Sequence, residues 1–398
     1  MKVALLCSGL GTIARGHEVF ARSLFELLDG HVDMTLFKGA GEPRERELVA
    51  PCLPRNSPLL QHIHIAGQTR WADSMREQER CRIEHETFAY AALPALLAGD
   101  YDIIHCLEQE VCTLIHANRH LFRRLPRIVF SNGGAIPAAD LPPCDFVQEH
   151  TPHNHRFSAK HKAFMIPHGV DLERFRPGLP SSFRERHQIP ADAEVVVSVG
   201  TIGINHKRMD HVIRELAPLK DRYFLVVAGQ ESAETPGIKA LGRELLGDRV
   251  LFTTVEHAAL PELLAAADVF VLGSLFETFG IAYIEAMAMG LPVVCTEHPN
   301  QQQIVQQGVF IDMARGGVLT RVLRDTDKQT WQRIGKAGRL VAEQQYGLPV
   351  LRQLYVQHYQ RIANTPVELP TPGAWQRVRQ HGLNLWKSAR DAVRGRAH

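Results

Sequence analysis

A chain of 398 residues is longer than one hydrophobic core usually supports, so two or three domains are expected. Its 45% hydrophobic and 22% charged content is that of an ordinary soluble globular protein, and a net charge of +2 with no long basic run gives no case for nucleic acid. The seven cysteines are scattered, odd in number and without a CxxC pair, which argues against a disulfide framework or a cysteine-based zinc site and fits a reducing cytosol.

In chain order, Lys2 to Cys7 predict a first strand, followed by the glycine-rich loop SGLGTIARG. Its G-L-G-T-I-A fits the dinucleotide fingerprint G-x-G-x-x-G/A, but Phe37 and Lys38 stand where that fingerprint expects an acidic residue. Glu18 to Leu28 has helical spacing, and Asp33 to Phe37 reads as a second strand. Glu42 to Arg82 is charged and irregular, the expected place for a mobile loop over a site. Glu84 to Leu97 predicts a helix, and Tyr101 to Cys106 and Arg127 to Phe130 predict strands. The turn-rich IPHGVDLERFRPGLP then interrupts the pattern, and a second alternation begins at Glu194 to Val199. It continues through Tyr223 to Ala228, Val250 to Thr253 and Val269 to Leu272, ending in helices from about Thr330 to Ile362. Strands alternating with helices define doubly wound α/β domains. After TPVELPTPG, Ala374 to Val393 predicts a last helix in a segment with six Lys or Arg against one Asp.

The densest chemistry lies in VFVLGSLFETFGIAYIEAMAMGLPVVCT, Val269 to Thr296. A strand, a helix from Gly280 to Met289 and a second strand make a βαβ unit with a right-handed crossover. Glu285 is the only charge between Thr278 and Thr296, and a buried carboxylate needs a protein partner or a polar ligand. Glu277 lies in the loop at the carboxyl end of the strand, the edge where open α/β sheets bind ligands. The free amides near Gly280 and Ile281 can hold an anion. An anion cradle flanked by carboxylates that accept from hydroxyls points to a sugar nucleotide.

ETFGIAYIE resembles the E-x7-E signature of retaining glycosyltransferases with the GT-B fold, most closely glycosyltransferase family 4, and AMAMGLPVV matches it as well. The resemblance implies two Rossmann-like doubly wound domains facing across a cleft. Residues 1–172 would form the acceptor domain, completed by a C-terminal crossing helix at 366–398, and residues 173–365 the nucleotide-sugar domain. It implies transfer from a UDP- or GDP-sugar with retention and without an essential metal or other cofactor. Glu285 would bind the ribose and Glu277 the donor sugar, with Thr278 and Phe279 beside them. The Gly280 and Ile281 amides and Lys207 would hold the diphosphate, near Gly200 and Arg208. Lys207, in SVGTIGINHKRMD, matches the family lysine, whereas Thr201 stands at the place of the family arginine.

On the acceptor side the resemblance points to Gly9, Gly11 and Arg15 of the first loop, and to Asn132, where many members carry a histidine that touches the donor sugar. Asparagine cannot act as an acid or base at neutral pH, so front-face attack with the leaving phosphate taking the proton is the expected route. Glu149 and His150 read as a polar cleft wall in preference to a metal site shared with His153 and His155. His105 closes a strand and faces either cleft or core. Asp327, in DTD, reads as a helix N-cap and not as a metal ligand. The acceptor stays open between lipid, glycan and small molecule. The basic last helix crosses back to the first domain or contacts an anionic membrane surface from a cytoplasmic location. An NAD-dependent oxidoreductase, resting on the first loop alone, and a catalytically silent sugar-nucleotide binder are the alternatives.

Overall fold

The short apolar runs fold as parallel strands covered on both faces by helices, which is why they lack alternation. The computed structural model describes residues 1–13, 16–65, 72–367 and 369. Strands β1 (Lys2–Cys7), β2 (Asp33–Lys38), β3 (Glu47–Val49), β4 (Ile103–Cys106), β5 (Arg127–Ser131), β6 (Phe146–Glu149) and β7 (Ala163–Met165) form a seven-stranded sheet ordered β3-β2-β1-β4-β5-β6-β7. Strands β8 (Glu194–Val199), β9 (Tyr223–Ala228), β10 (Val250–Thr253), β11 (Val269–Val271), β12 (Val293–Thr296) and β13 (Val309–Ile311) form a six-stranded sheet ordered β10-β9-β8-β11-β12-β13. All pairings within both sheets are parallel. In each sheet the order reverses beside its first strand, between β1 and β4 and between β8 and β11. The carboxyl ends of those strand pairs are where such sheets bind ligands.

Alternate residues of β1 serve opposite faces. Val3, Leu5 and Cys7 pack with Phe20 and Leu24 of helix Gly16–Leu27, while Ala4 and Leu6 pack with Phe88, Ala92 and Leu96 of helix Ala72–Ala98. In the second domain, Val195 and Val197 meet Ile284 and Met287, and Val196 meets Val212 and Ile213 across the sheet.

Two features depart from the sequence reading. The stretch Glu42 to Arg82 is not one irregular loop, because it contains β3 and the first turns of helix Ala72–Ala98. Those turns carry little apolar spacing and are laced instead by the pairs Arg76–Asp73, Arg82–Glu79 and Arg82–Glu86. The chain also returns to the first domain earlier than expected, through helix Leu348–Ala363. Its Leu351, Tyr355, Tyr359 and Ile362 belong to the first core. Tyr359 Oη lies 2.6 Å from His105 Nδ1, and Gln148 Nε2 donates to Tyr355 Oη at 2.7 Å. Burying each tyrosine contributes about 1.5–3 kcal/mol. The helix read at Ala374 to Val393, with its crossing or membrane role, lies outside the described residues. Among the described residues no helix is long and apolar enough to cross a membrane.

Candidate active site

The loop after β11 is turned into helix Ile281–Ala288 by Gly280, whose backbone is left-handed (φ 78°). A Cβ there would stand 2.6 Å from the Tyr283 ring, so only glycine makes this turn without displacement. The first amides of the helix have no intrahelical acceptor and carry the positive end of its dipole. Asn300 Nδ2 donates to the Glu277 and Thr278 carbonyls at 2.8 and 3.0 Å, and Gln301 Nε2 to the Glu277 carbonyl at 2.7 Å. The loop is thus held by two buried carboxamides. Glu277 is itself buried, and its Oε1 accepts from Lys207 Nζ at 2.6 Å and Ser274 Oγ at 2.5 Å. His206 Nε2 stands 3.6 Å from Oε2.

Lys207 is presented by a strained turn. His206 (φ 63°) and Arg208 (φ 48°) on either side are left-handed without being glycine. Glu234 holds the turn by accepting from the Ile204 and Asn205 amides at 2.7 and 3.1 Å and from Asn205 Nδ2 at 2.7 Å. Gly200 (φ 149°) lets the lysine stem lie close, since a Cβ there would stand 2.7 Å from Lys207 Cε. Arg208, expected beside the diphosphate, instead donates its guanidinium to the carbonyls of Gly273 and Met313 and braces the end of β11. Thr201 is exposed and is not among the cleft-lining residues.

Glu285 has the protein partner that its burial demanded: His257 Nε2 lies 2.6 Å from its Oε1. The two line a cavity of about 330 Å³ together with Phe20, Ser23, Arg174 and Arg352. That cavity shares His168 and Ile281 with a larger one of about 600 Å³, where the carboxyl ends of both sheets meet. Lys207, Glu277, Thr278, Phe279, Gly280 and Ile281 form the second-domain wall of the larger cavity. Gly16, His17, Glu18, Arg55, His85, Glu108 and Gly133 form the first-domain wall.

Glu108 leaves β4 at the switch point and accepts from Ser8 N and Oγ at 2.9 and 3.1 Å, and burial raises its pKa. His85 Nδ1 lies 2.8 Å from Glu110 Oε2; burial opposes its charge, but Glu110 and Glu108 outweigh burial and raise its pKa. Four rings bridge the domains at the hinge. Phe20 meets His150 and His168 edge-on, those two histidines stack at 4.2 Å, and His168 meets Phe279 edge-on at 4.8 Å.

Several residues read from the sequence lie elsewhere. His105 is in the core, fully buried against Tyr359, and burial followed by His150 pushes its pKa down to about 3. His150 is buried behind the cleft on Ser131 Oγ at 2.9 Å, and burial followed by His17 lowers it to about 3. Asn132 spends both ends of its amide locally. Its Oδ1 accepts from Ile136 N at 2.8 Å, and Nδ2 donates to Ile136 O and Glu149 Oε1 at 2.9 and 3.0 Å. With Glu149 it lines a separate interdomain cavity of about 300 Å³, while its neighbour Gly133 lines the main cleft. Gly9 and Gly11 are packing positions against Glu18 and the Ala40 carbonyl, absent from the cleft wall. Lys38, where the dinucleotide fingerprint expects an acid, is buried on Glu47. Arg15 lies outside the described residues. Asp327 caps helix Lys328–Val341 by accepting from Thr330 N at 2.7 Å.

The reading missed His17, His85, Glu108, Glu234, His257 and Ser274. His17 and His85 lie on helices, the others in loops or at helix starts after strands, and only the fold brings them together. HCLEQE at the end of β4 carried the one available signal, a carboxylate following a buried strand.

Two open parallel sheets with switch points opposed across a cleft define a pair of Rossmann-like domains. Residues 181–322 match the family Glycosyl transferases group 1. The lipopolysaccharide core biosynthesis mannosyltransferase LpsB of Rhizobium meliloti is 26% identical over 290 residues, 68% of this chain and 71% of that protein. Relatives above 30% identity, such as the D-inositol 3-phosphate glycosyltransferase of Xylanimonas cellulosilytica at 31%, match over less than half of their own length. Among solved structures, the sucrose-phosphate synthase of Thermosynechococcus elongatus superposes with a TM-score of 0.72 at 21% identity, over 91% of this chain and 98% of that one. The chain has the GT-B fold, and the stretch of its second domain that carries the cleft wall is similar to group 1 glycosyl transferases.

Proposed function

We propose that the protein transfers a hexosyl group from a UDP- or GDP-sugar to an acceptor hydroxyl, with retention of configuration and without an essential metal. The observation that carries this reading is the constellation at the second switch point. A strained turn holds Lys207 on Glu277, beside the open amides of helix Ile281–Ala288, in a cleft of about 600 Å³ between two Rossmann-like domains. The lysine and the amides place fixed positive charge where a diphosphate leaving group gains negative charge, which lowers the barrier without reorganisation. Glu277 would accept from donor-sugar hydroxyls and Glu285, set by His257, from the ribose.

Mannosyl transfer by the relative LpsB agrees with a hexosyl donor. The leaving phosphate would take the acceptor proton, because Asn132 is bound up in its own loop. A thermal-shift panel of UDP, GDP, ADP and NAD, each with magnesium and with EDTA, tests the donor. One nucleoside diphosphate should raise the unfolding temperature equally in both, and Glu285→Gln should diminish the shift. A shift seen only with magnesium would overturn metal independence, and a shift with NAD alone would overturn the transferase reading.

A further inference from the structure

The turn that carries Lys207 into the cleft is anchored in the core only at its ends, where Ile202 and Met209 are buried. Between them Ile204, Asn205 and His206 are exposed, Ile204 to 51%, so packing does not fix the middle of the turn. Backbone preference does not fix it either, since His206 and Arg208 are left-handed without being glycine. Such conformations persist only where the surrounding structure imposes them. The internal bonds, Lys207 N to Asn205 O at 2.7 Å and Arg208 N to Ile204 O at 3.1 Å, close the turn on itself without tying it to the domain.

The tie comes from the loop after β9. Glu234, just before helix Thr235–Leu246, places Oε2 on the Ile204 and Asn205 amides and Oε1 on Asn205 Nδ2. Hydrogen bonds to an ionised acceptor are stronger than neutral ones. Among the described residues, no other side chain hydrogen-bonds to the backbone of Ile204 or Asn205. Beneath this clamp the two loops are locked together. Ser232 Oγ and Thr235 Oγ1 donate to Ile202 O at 2.9 and 2.8 Å, and a Cβ on Gly229 would stand 1.8 Å from the Gly200 carbonyl oxygen. Glu234 thus rests on a rigid base.

The tie through Lys207 itself is different in kind, because its partner Glu277 competes with a bound diphosphate for the ammonium. Once a diphosphate draws the ammonium off Glu277, the lysine keeps its place through its backbone. Resting on the transferase reading above, we propose that Glu234 is a positioning residue for Lys207. It is absent from the cleft wall and sets the backbone from which the ammonium meets the leaving diphosphate. A misplacement of about 1 Å can cost on the order of 100-fold in rate, so the clamp acts on turnover more than on donor binding.

The test follows nucleoside diphosphate release by the full chain from the donor identified by thermal shift. Glu234→Ala should lower kcat about tenfold and leave the donor KM within about twofold, the split expected when transition-state alignment is lost. Glu234→Gln keeps an acceptor oxygen for the two amides and should restore most of the turnover. In a Lys207→Ala background, Glu234→Ala should lower kcat no further, because the group through which it acts is gone. Unchanged kcat in Glu234→Ala, or an equal loss in both backgrounds, overturns the proposal. Urea unfolding of the same proteins reads the clamp without activity. Lys207→Ala should shift the midpoint less in the Glu234→Ala background than in the wild type, since a released lysine pairs less well with Glu277; equal shifts refute the clamp. A wild type that releases no nucleoside diphosphate from any donor sinks the transferase reading, and the midpoints then decide on Glu234 alone.

Discussion

Removing the Lys207 side chain separates the two tasks assigned to it. In Lys207→Ala the buried Glu277 loses the cation 2.6 Å from its Oε1, keeping Ser274 Oγ at 2.5 Å and the exposed His206 at 3.6 Å. Breaking a buried ion pair by deleting one partner costs about 3–5 kcal/mol, and the surviving donors place this case near 3. The same change removes the fixed charge at the diphosphate, for which a loss in turnover of about 100–1000-fold is expected. Urea unfolding reads the first effect, and nucleoside diphosphate release from the donor identified by thermal shift reads the second. The double variant Lys207→Ala/Glu277→Gln removes both charges, so it should recover most of the stability and none of the turnover. A single variant as stable and as active as the wild type would refute the pairing and the role together. Turnover restored in the double variant would show that the lysine served only to neutralise Glu277.

Three further outcomes follow from the geometry. His105 and His150 are held neutral in the fold with pKa values near 3 by burial, whereas an unfolded histidine takes a proton near 6.5. The unfolded state therefore binds more protons below that value, and stability present at neutral pH is lost as pH falls. The two together should cost roughly 2–3 kcal/mol between about pH 7 and 5.5, read by urea unfolding at each pH; a flat profile would show that neither is shielded. Tyr359→Phe leaves His105 Nδ1 without its partner at 2.6 Å and should cost about 1–2 kcal/mol in the same assay, an unchanged midpoint counting against the helix Leu348–Ala363 anchor. Gly280→Ala forces a left-handed alanine whose Cβ meets Tyr283 and should cost at least about 1–2 kcal/mol while abolishing the nucleotide thermal shift.

The second domain was legible because its chemistry is local. The strand, turn and helix from Val269 to Ala288 carry Glu277, Gly280 and Glu285 within one unit, and Lys207 follows the neighbouring strand. The first-domain wall is assembled differently. His17 begins a helix after β1, Arg55 and His85 belong to the segment after β3, and Glu108 follows β4. No spacing rule links them, since sheet order alone makes them neighbours. Asn132 was misplaced for a related reason: position after a strand told where the backbone goes but not that Ile136 and Glu149 would claim both ends of the amide. Strands β3, β6, β7 and β13, of three or four residues each, escaped the periodicity reading, whereas the equally short β11 stood out within the apolar run Val269 to Leu272.

The cation count at the diphosphate cradle leads to one more experiment. Lys207 is shared with Glu277, and Arg208 is consumed by the carbonyls of Gly273 and Met313. The place at which the resemblance expects an arginine holds Thr201, exposed at the end of β8 beside Gly200. Placing arginine there restores a charge beside the turn that carries Lys207, at a surface position with room for the longer side chain. One added charge-assisted hydrogen bond contributes about 1.5 kcal/mol, so Thr201→Arg should tighten nucleoside diphosphate binding roughly tenfold by calorimetric titration. The gain should shrink as salt rises, because an exposed charge is screened. Binding that is unchanged in Thr201→Arg but weakened in His206→Ala would assign the second phosphate contact to His206, which already stands 3.6 Å from Glu277.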